Sequence, residues 1–376
     1  MIHVVAANET VDSIAALYGI SPFDLAFDNQ IAPPYPLVLG QALWVQVNEE
    51  EGLSNRVEKS FFGYAYPFTT EESLNGSLPY LAELYHFSYG YTEEGELTPL
   101  NDERLFETAA RFGVPSVLVL TPLTPGGNFS NQLVNTLVEN PSVQQRLIED
   151  LIRVMAEKGF IGVDVDFEYI LPEDIENYVA FVRNLKAQLS PYGYQVTVAL
   201  PPKIADDQPG LLYEGMDYAG IGEVADAVFL MTYEWGYTYG PPMAVAPIPS
   251  VRRVLDYAVT RIPRNKIYMG LPNYGYDWPL PYERGVTKAE TIGYTIAIER
   301  ALRYGASVQY DVTAQAPFIE YVDENGISHI IWFEDVRSML AKFNLIKEYD
   351  FLGGGYWNLT RFFRANWLLQ ASEFLL

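Results

Sequence analysis

From Ser60 to the carboxyl terminus, short apolar runs alternate with longer stretches that carry apolar residues at helical spacing. The runs fall at 61–66, 83–89, 116–121, 162–170, 195–200, 227–233, 266–272 and 353–358, and read as strands. Between them, 142–158 opens with a serine after Pro141 and stops before Gly159. The stretch 172–189 sets Ile175, Tyr178, Val179, Val182 and Leu185 on one stripe. Eight strand–helix units over roughly three hundred residues predict an α/β chain of the TIM (β/α)8 barrel class. In that class the carboxyl ends of the strands carry the chemistry.

The interval between the seventh and eighth runs is too long for one helix. A helical stretch at 289–304 is followed by strand-like runs at 308–313, 318–322 and 329–333. The last two flank Asp323-Glu-Asn-Gly326, and an Asn-Gly pair between alternating runs marks a hairpin. A small α+β hairpin excursion beside the barrel mouth is therefore expected. Trp332, Glu334 and Asp335 at its end read either as a cleft wall or as local packing and a helix cap.

Residues 1–47 form a unit of their own. Residues 2–5 alternate as a strand, 10–18 carry Val11, Ile14, Ala15 and Leu17 at helical spacing, Gly19 stops that helix, 22–29 form a second, and 39–45 return as a strand. This order, with Asn8-Glu-Thr-Val11, Tyr18-Gly-Ile-Ser21, Asn29 and Gly40-Gln41, resembles a LysM module. The resemblance implies binding of N-acetylglucosamine in chitin or peptidoglycan, with Asn8, Glu9, Thr10, Asn29 and Ile31 as sugar contacts. Asparagine tolerates the left-handed turn for which the family often uses glycine at position 8. A structural cap on the barrel is the plainer reading. Residues 48–59 are polar and non-periodic and read as a linker that tethers the module to a barrel spanning 60–376.

One run stands apart chemically. In Gly162–Ile170, alternation puts Val163, Val165, Phe167 and Tyr169 on one face and Asp164, Asp166 and Glu168 on the other. Three acids on one face repel one another and favour protonation of at least one, which suits general acid/base chemistry. A solvated acidic face and a hard-cation site are the alternatives, although no glycine-turned ligand loop is present.

Composition narrows the choice. A formal charge of −24 argues against nucleic acid or an anionic membrane as partner. No cysteine occurs, which excludes disulfides and thiolate chemistry, and the three histidines, His3, His86 and His329, are too scattered for a zinc cluster or an obvious serine triad. The amino terminus has neither a basic segment nor a long apolar run, so a protein without a secretion signal and without a membrane span is expected. With 28 tyrosines, flat faces for sugar stacking are plentiful, though most such residues in any protein simply pack.

Over 60–376 the chain resembles glycoside hydrolase family 18, the chitinase family. The family's Asp-Gly-x-Asp-x-Asp-x-Glu run is matched by Ile161-Gly-Val-Asp164-Val-Asp166-Phe-Glu168, with isoleucine in place of the first aspartate. Met-x-Tyr-Asp on the sixth strand is matched by Met231-Thr-Tyr233-Glu234, and the eighth-strand tryptophan by Trp357. Runs such as Gly127-Asn-Phe-Ser130, Gly275-Tyr-Asp-Trp278 and Trp332-Phe-Glu-Asp335 are similar to those of spore cortex-lytic N-acetylglucosaminidases from spore-forming bacteria.

The resemblance implies a retaining hydrolysis in which the substrate's own acetamido oxygen is the nucleophile. Glu168 would be acid and base, Asp166 would orient the acetamido group, Asp164 would tune Asp166, Tyr233 would donate to the acetamido oxygen, and Trp357 would floor the sugar. Repulsion from Asp164 and Asp166 is expected to raise the proton affinity of Glu168. Glu234, Trp235, Trp278, Trp332, Tyr64 and Tyr89 are further substrate-binding candidates, with packing as the alternative for the tryptophans. The implied substrate is a β-1,4 N-acetylglucosamine glycan, with peptidoglycan of the spore cortex as the first reading and a chitin-type chain or an N-glycan core, the substrates of a chitinase or an endo-N-acetylglucosaminidase, as the alternatives. A non-catalytic wall-binding lectin is the rival reading. The implied chain is a monomer needing no metal or cofactor, spore-associated in a spore former and otherwise cytoplasmic.

Overall fold

The computed structural model describes residues 1–46, 56–124 and 126–375. Eight parallel strands close into a barrel: Ser60–Ala65, Glu83–Tyr91, Ser116–Leu120, Gly162–Val165, Gln195–Leu200, Ala227–Leu230, Ile267–Pro272 and Gly353–Trp357. The first strand pairs with both the second and the eighth, which shuts the ring. Each expected strand is present. Parallel barrel strands are covered on both faces, which explains why runs such as Ser116–Leu120 are buried at every position. The eighth strand opens with three glycines because its neighbour is very close. A Cβ at Gly353 would lie 1.6 Å from the carbonyl oxygen of Ser60.

The fourth strand is shorter than expected. Regular pairing ends at Val165, and the chain leaves the sheet at Asp166. Alternation nevertheless persists to Phe167, which is buried, and is broken at Tyr169, whose positive φ of 59° turns the ring outward. Two helices follow the third strand: Asn131–Glu139, which the sequence pattern did not mark out, and a second that begins at Pro141, with the proline in its first turn, one residue earlier than the serine signal placed it.

The excursion is larger than a hairpin. The strands Ala316–Val322 and Ser328–Trp332 do pair across the Asp323–Gly326 turn, where Asp323 accepts backbone N–H bonds from Asn325 and Ile327 at 2.9 and 2.8 Å. They belong, however, to a five-stranded antiparallel sheet that also contains Val308–Asp311, Gly275–Leu280 and Glu290–Ile292. The last of these occupies the front of the stretch read as helical, so the excursion helix starts at Tyr294 and runs to Tyr304.

The amino-terminal module has the expected order: Ile2–Val4, Val11–Tyr18, Pro22–Asp28 and Ala42–Trp44. Thr10 caps its first helix, accepting from Ser13 N at 3.1 Å, and Gly19 ends it in the left-handed conformation. Asn8 also has positive φ, at 68°. Of the predicted linker, residues 48–55 lie outside the described residues. Its last part is not irregular, because Val57–Glu58 pairs in parallel with Phe374–Leu375.

The module is docked on the barrel rather than held at a distance. Leu43 and Val45 enter the module's own core, while Ala42 and Trp44, on the opposite face, pack into the barrel's cluster. Polar contacts frame the seam. Val308 N donates to the Leu39 carbonyl at 2.9 Å, Arg364 pairs with Asp28 at 3.1 Å, and Gln41 Nε2 donates to the Tyr294 hydroxyl at 3.1 Å.

Candidate active site

The carboxyl ends of the barrel strands surround a cleft of about 650 Å³ that contains Asp166, Glu168, Tyr233, Glu234, Tyr64 and Trp357 in its walls. These six were all expected from the sequence. They converge because each lies at or just past the end of a strand, where a closed barrel points its loops to one side.

Asp164 lies beneath the cleft with no exposed surface. Its Oδ1 accepts from Thr197 Oγ1 at 2.6 Å and its Oδ2 from the Tyr64 hydroxyl at 2.8 Å. Burial pushes its carboxyl up to about 6 despite those two bonds, which pull the other way. Asp166, two residues on, is 5% exposed, and its Oδ1 is buried without a hydrogen-bond partner. Burial, then the charges of Glu168 and Asp164, push Asp166 well above the usual carboxylate range.

Glu168 is half-buried at the cleft, and its carboxyl is raised to about 7. Burial is the larger cause and the charge of Glu234 the second. This corrects the expectation from the sequence, which assigned the shift to Asp164 and Asp166. Glu234 enters from the sixth strand's loop with φ of 68°, exposed to the cleft on one side. On the other side Tyr274 donates to its Oε1, and the Tyr276 hydroxyl lies 2.9 and 3.1 Å from its two oxygens. Burial raises this carboxyl also, against the pull of both tyrosines. Tyr233 is 6% exposed, and its ring lies in the cleft wall. Trp357 meets Phe87, Tyr64 and Tyr66 edge-on at 4.9, 5.3 and 6.0 Å, which fixes its plane.

Four expected substrate contacts are elsewhere. Trp278 is fully buried and donates its indole N–H to the Gly240 carbonyl at 2.8 Å, because its segment is a central strand of the excursion sheet rather than a loop. Trp332 stacks on Phe318 at 4.9 Å across the excursion hairpin, outside the cleft wall. Trp235 packs against the barrel core, and its backbone N–H donates to the Val245 carbonyl at 3.0 Å. Tyr89 lies behind the barrel wall, where its hydroxyl donates to Asp102 at 2.8 Å. Likewise Glu334 is a buried partner of Lys342 at 2.7 Å and Asp335 caps Val336–Tyr349, so the packing-and-cap reading of that segment holds.

In the module, Asn29 is 2% exposed and its amide is fully engaged inside, donating to Leu25 and Trp44 carbonyls and accepting from Trp44 N at 2.7 Å. Its expected sugar contact is thereby replaced by a structural one. Ile31 is in the module core at 9% exposure, Glu9 bonds Ala6 N and His3, and Thr10 is the helix cap. Asn8 remains exposed at its turn.

Five further aromatic residues of the cleft wall, Tyr66, Phe129, Tyr169, Tyr213 and Tyr237, were not singled out from the sequence. Tyr66 had a signal, since it follows the end of the first strand. The others come from loops whose spatial meeting leaves no trace in local pattern. A different constellation is also present: Ser116 Oγ, His86 and Asp102 lie in line at 3.0 and 2.9 Å. Its geometry is that of a nucleophile triad, but all three are buried between barrel and helices, so no substrate reaches them.

The profile of glycosyl hydrolases family 18 matches residues 69–361, and that of the LysM domain matches residues 3–46. The chain belongs to glycoside hydrolase family 18. A cortical fragment-lytic enzyme of Bacillus anthracis is 33% identical over 98% of this chain and 97% of its own length. The cortical fragment-lytic enzyme of Bacillus subtilis is 41% identical over 81% of this chain and 70% of its own. The crystal structure of the Bacillus cereus spore cortex-lytic enzyme SleL superposes with a TM-score of 0.92 and 32% identity, covering 100% of this chain and 98% of that one. The chain is thus a glycoside hydrolase with a LysM module. The two matches together point to peptidoglycan or a chitin-like polymer as the material it engages.

Proposed function

We propose that this enzyme cleaves β-1,4 bonds after N-acetylglucosamine in spore-cortex peptidoglycan, with Glu168 as acid and base and the substrate's acetamido oxygen as nucleophile. The observation that carries the reading is the pairing of a half-buried Glu168, raised to about 7, with an Asp166 whose Oδ1 has no partner. The first holds its proton in about half of the molecules at pH 7 and can give that proton up; the second has an oxygen open to a donor.

In this mechanism Glu168 passes its proton to the glycosidic oxygen as the C1–O bond breaks. The acetamido carbonyl oxygen closes on C1 from the opposite face, giving a cyclic oxazolinium ion. Asp166 accepts the acetamido N–H at its unpartnered Oδ1, and the cation forming beside it favours the ionised carboxylate over the neutral form that burial otherwise favours. Tyr233 donates its hydroxyl to the acetamido oxygen, and Trp357 supplies the apolar floor. Water then attacks C1 from the side the leaving group vacated. Glu168, now a carboxylate, takes the water's proton, and the configuration at C1 is retained. Asp164, held by Tyr64 and Thr197, sets the charge available to Asp166 from below.

The substrate assignment rests on relatives named for cortex fragments, which align over nearly the whole chain. In a spore former the enzyme would act at the spore cortex. Mass spectrometry of purified cortex fragments treated with the parent protein or Glu168→Gln tests both points. The reading requires products ending in reducing N-acetylglucosamine from the parent alone. Products from chitin but not from cortex would overturn the substrate, and equal turnover by the variant would overturn the acid.

A further inference from the structure

Lys203 follows the fifth barrel strand and is only 3% exposed. Its ammonium donates to two backbone carbonyls, that of Asp206 at 3.1 Å and that of Met216 at 2.8 Å. Burial pulls the ammonium below its ordinary value, against the charges of Asp206, Asp217 and Asp207. A lysine in this position is costly to keep, and the mechanism does not use it. What it holds explains it.

Residues 204–217 contain no helix or strand, so no ladder fixes their course. Leu212 and Tyr213 from this stretch nevertheless enter the cleft wall. Asp206 and Met216 lie on either side of them, and one ammonium ties both ends together. The tie is itself anchored: Lys203 N donates to the Tyr218 hydroxyl at 3.1 Å, and the neighbouring Pro202 is part of the cleft wall. Outside, Arg261 Nε donates to the Asp206 carboxylate at 3.1 Å. Inside, the stretch is pressed against the segment that follows Glu168, since a Cβ at Gly215 would lie 1.9 Å from the Ile170 carbonyl oxygen.

The fifth strand pairs with the fourth, which leads to Glu168, whereas Trp357 ends the eighth, which pairs with the first and the seventh. The stretch therefore walls the cleft on the side of the acid. Under the proposed mechanism the leaving part of the glycan lies there, because its oxygen takes the proton of Glu168.

We infer that Lys203 is a positioning residue: by tying Asp206 to Met216 it holds Leu212 and Tyr213 against the leaving part of the glycan, and so governs KM rather than the chemical step. The inference rests on the proposed glycan cleavage and adds what fixes the wall on the departing side.

Lys203→Met keeps the apolar stem and removes the ammonium. On cortex fragments, KM is expected to rise about tenfold, the scale of one hydrogen bond from a charged group, with kcat within about twofold of the parent. Chymotrypsin, below the melting temperature, is expected to cut the folded variant at Leu211 to Tyr213 at least about tenfold faster than the parent. Lys266→Met is the matched control, since Lys266 also donates to backbone carbonyls, those of Gly222 and Ala225 at 3.0 and 2.8 Å, but just before the seventh strand and thus at the opposite end of the barrel. It is expected to keep the parent's KM and the parent's resistance at the loop. Tyr213→Ala is expected to raise KM by itself, and the double variant with Lys203→Met to show less than the product of the two effects.

An unchanged KM, parent-like resistance of the loop, equal effects in Lys266→Met or a full product in the double variant overturns the inference. If Lys203→Met does not fold, Lys203→Gln, which keeps a donor for one carbonyl, is judged by the same criteria. Chitin oligosaccharides are assayed in parallel. If the parent cuts these and not cortex fragments, the substrate reading fails by itself, and the same KM comparison on chitin still decides the role of Lys203.

Discussion

The hydroxyl of Tyr64 donates a 2.8 Å hydrogen bond to Oδ2 of Asp164, a carboxyl with no exposed surface. Oδ1 is held by Thr197, so each oxygen has one side-chain donor. Removing the hydroxyl with Tyr64→Phe leaves one buried oxygen unpaired. Such a loss is expected to lower stability by about 1 to 3 kcal/mol, read from a denaturant melt. The same change favours the protonated form of Asp164 and weakens its influence on Asp166. A fall in kcat of about tenfold is expected, the scale of one hydrogen bond to a charged group.

The Glu168 carboxyl, raised to about 7, fixes the alkaline limb of activity. The first step needs the protonated form, so kcat/KM is expected to fall as pH rises through about 7. Glu234→Gln removes the second cause of that elevation and moves the limb to lower pH. A limb that stays in place in the variant would show that Glu234 does not act on Glu168. Stability follows the same sign: a raised acid holds its proton more tightly folded than unfolded, and its contribution is lost as pH rises toward 7. Glu168→Gln is therefore expected to melt higher than the parent at pH 8, with the gap closing toward pH 4.5.

His86 and Asp102 form a buried pair at 2.9 Å that Lys158 extends toward the surface. Burial pulls His86 below its ordinary value, which favours the neutral ring in the folded state. Burial alone would raise Asp102, but hydrogen bonds from His86, Lys158 and Tyr89 outweigh it and hold the carboxyl below its usual range. Both groups therefore lose stability as pH falls, His86 from about 6.5 downward and Asp102 below about 4. Asp102→Asn breaks the network, and a loss of about 3 kcal/mol is expected by denaturant titration at pH 7. An unchanged melt would mean that the network carries no net stability.

Trp357 and Trp278 separate substrate contact from packing. Trp357→Ala removes the cleft floor and is expected to lower kcat/KM by at least tenfold on cortex fragments, since a lost aromatic stack is worth about 1 to 3 kcal/mol. Trp278→Phe leaves the cleft intact and breaks the bond to Gly240, so it should lower the melting temperature with little change in KM. The reverse pattern would exchange their roles.

The barrel was legible because its strands are covered on both sides and read as unbroken apolar runs. The acids were legible because three carboxylates on one face of such a run conflict with burial. The excursion was harder. Gly275–Leu280 contains Asp277 and Pro279, which weaken any strand pattern, yet Asp277 is accommodated by Arg300, Tyr321 and His329. Trp278 was consequently a candidate to stack on sugar, with packing only as the alternative. The origin of the Glu168 shift was hidden for another reason. Glu234 is 66 positions away in sequence, and only closure of the barrel brings its charge to bear.

The docked module changes what the molecule can measure. A module on a slack tether raises the local concentration of any captured strand, whatever its length. Here Ala42 and Trp44 are embedded in the barrel's own packing, so the offset between the two parts is set by folding. A strand must be long enough to reach from one to the other before both can hold it. Under the proposed function, with glycan held by both the module and the cleft, fragment length would become a quantity the enzyme can sense: long strands would be gripped twice, and products below that span would be let go.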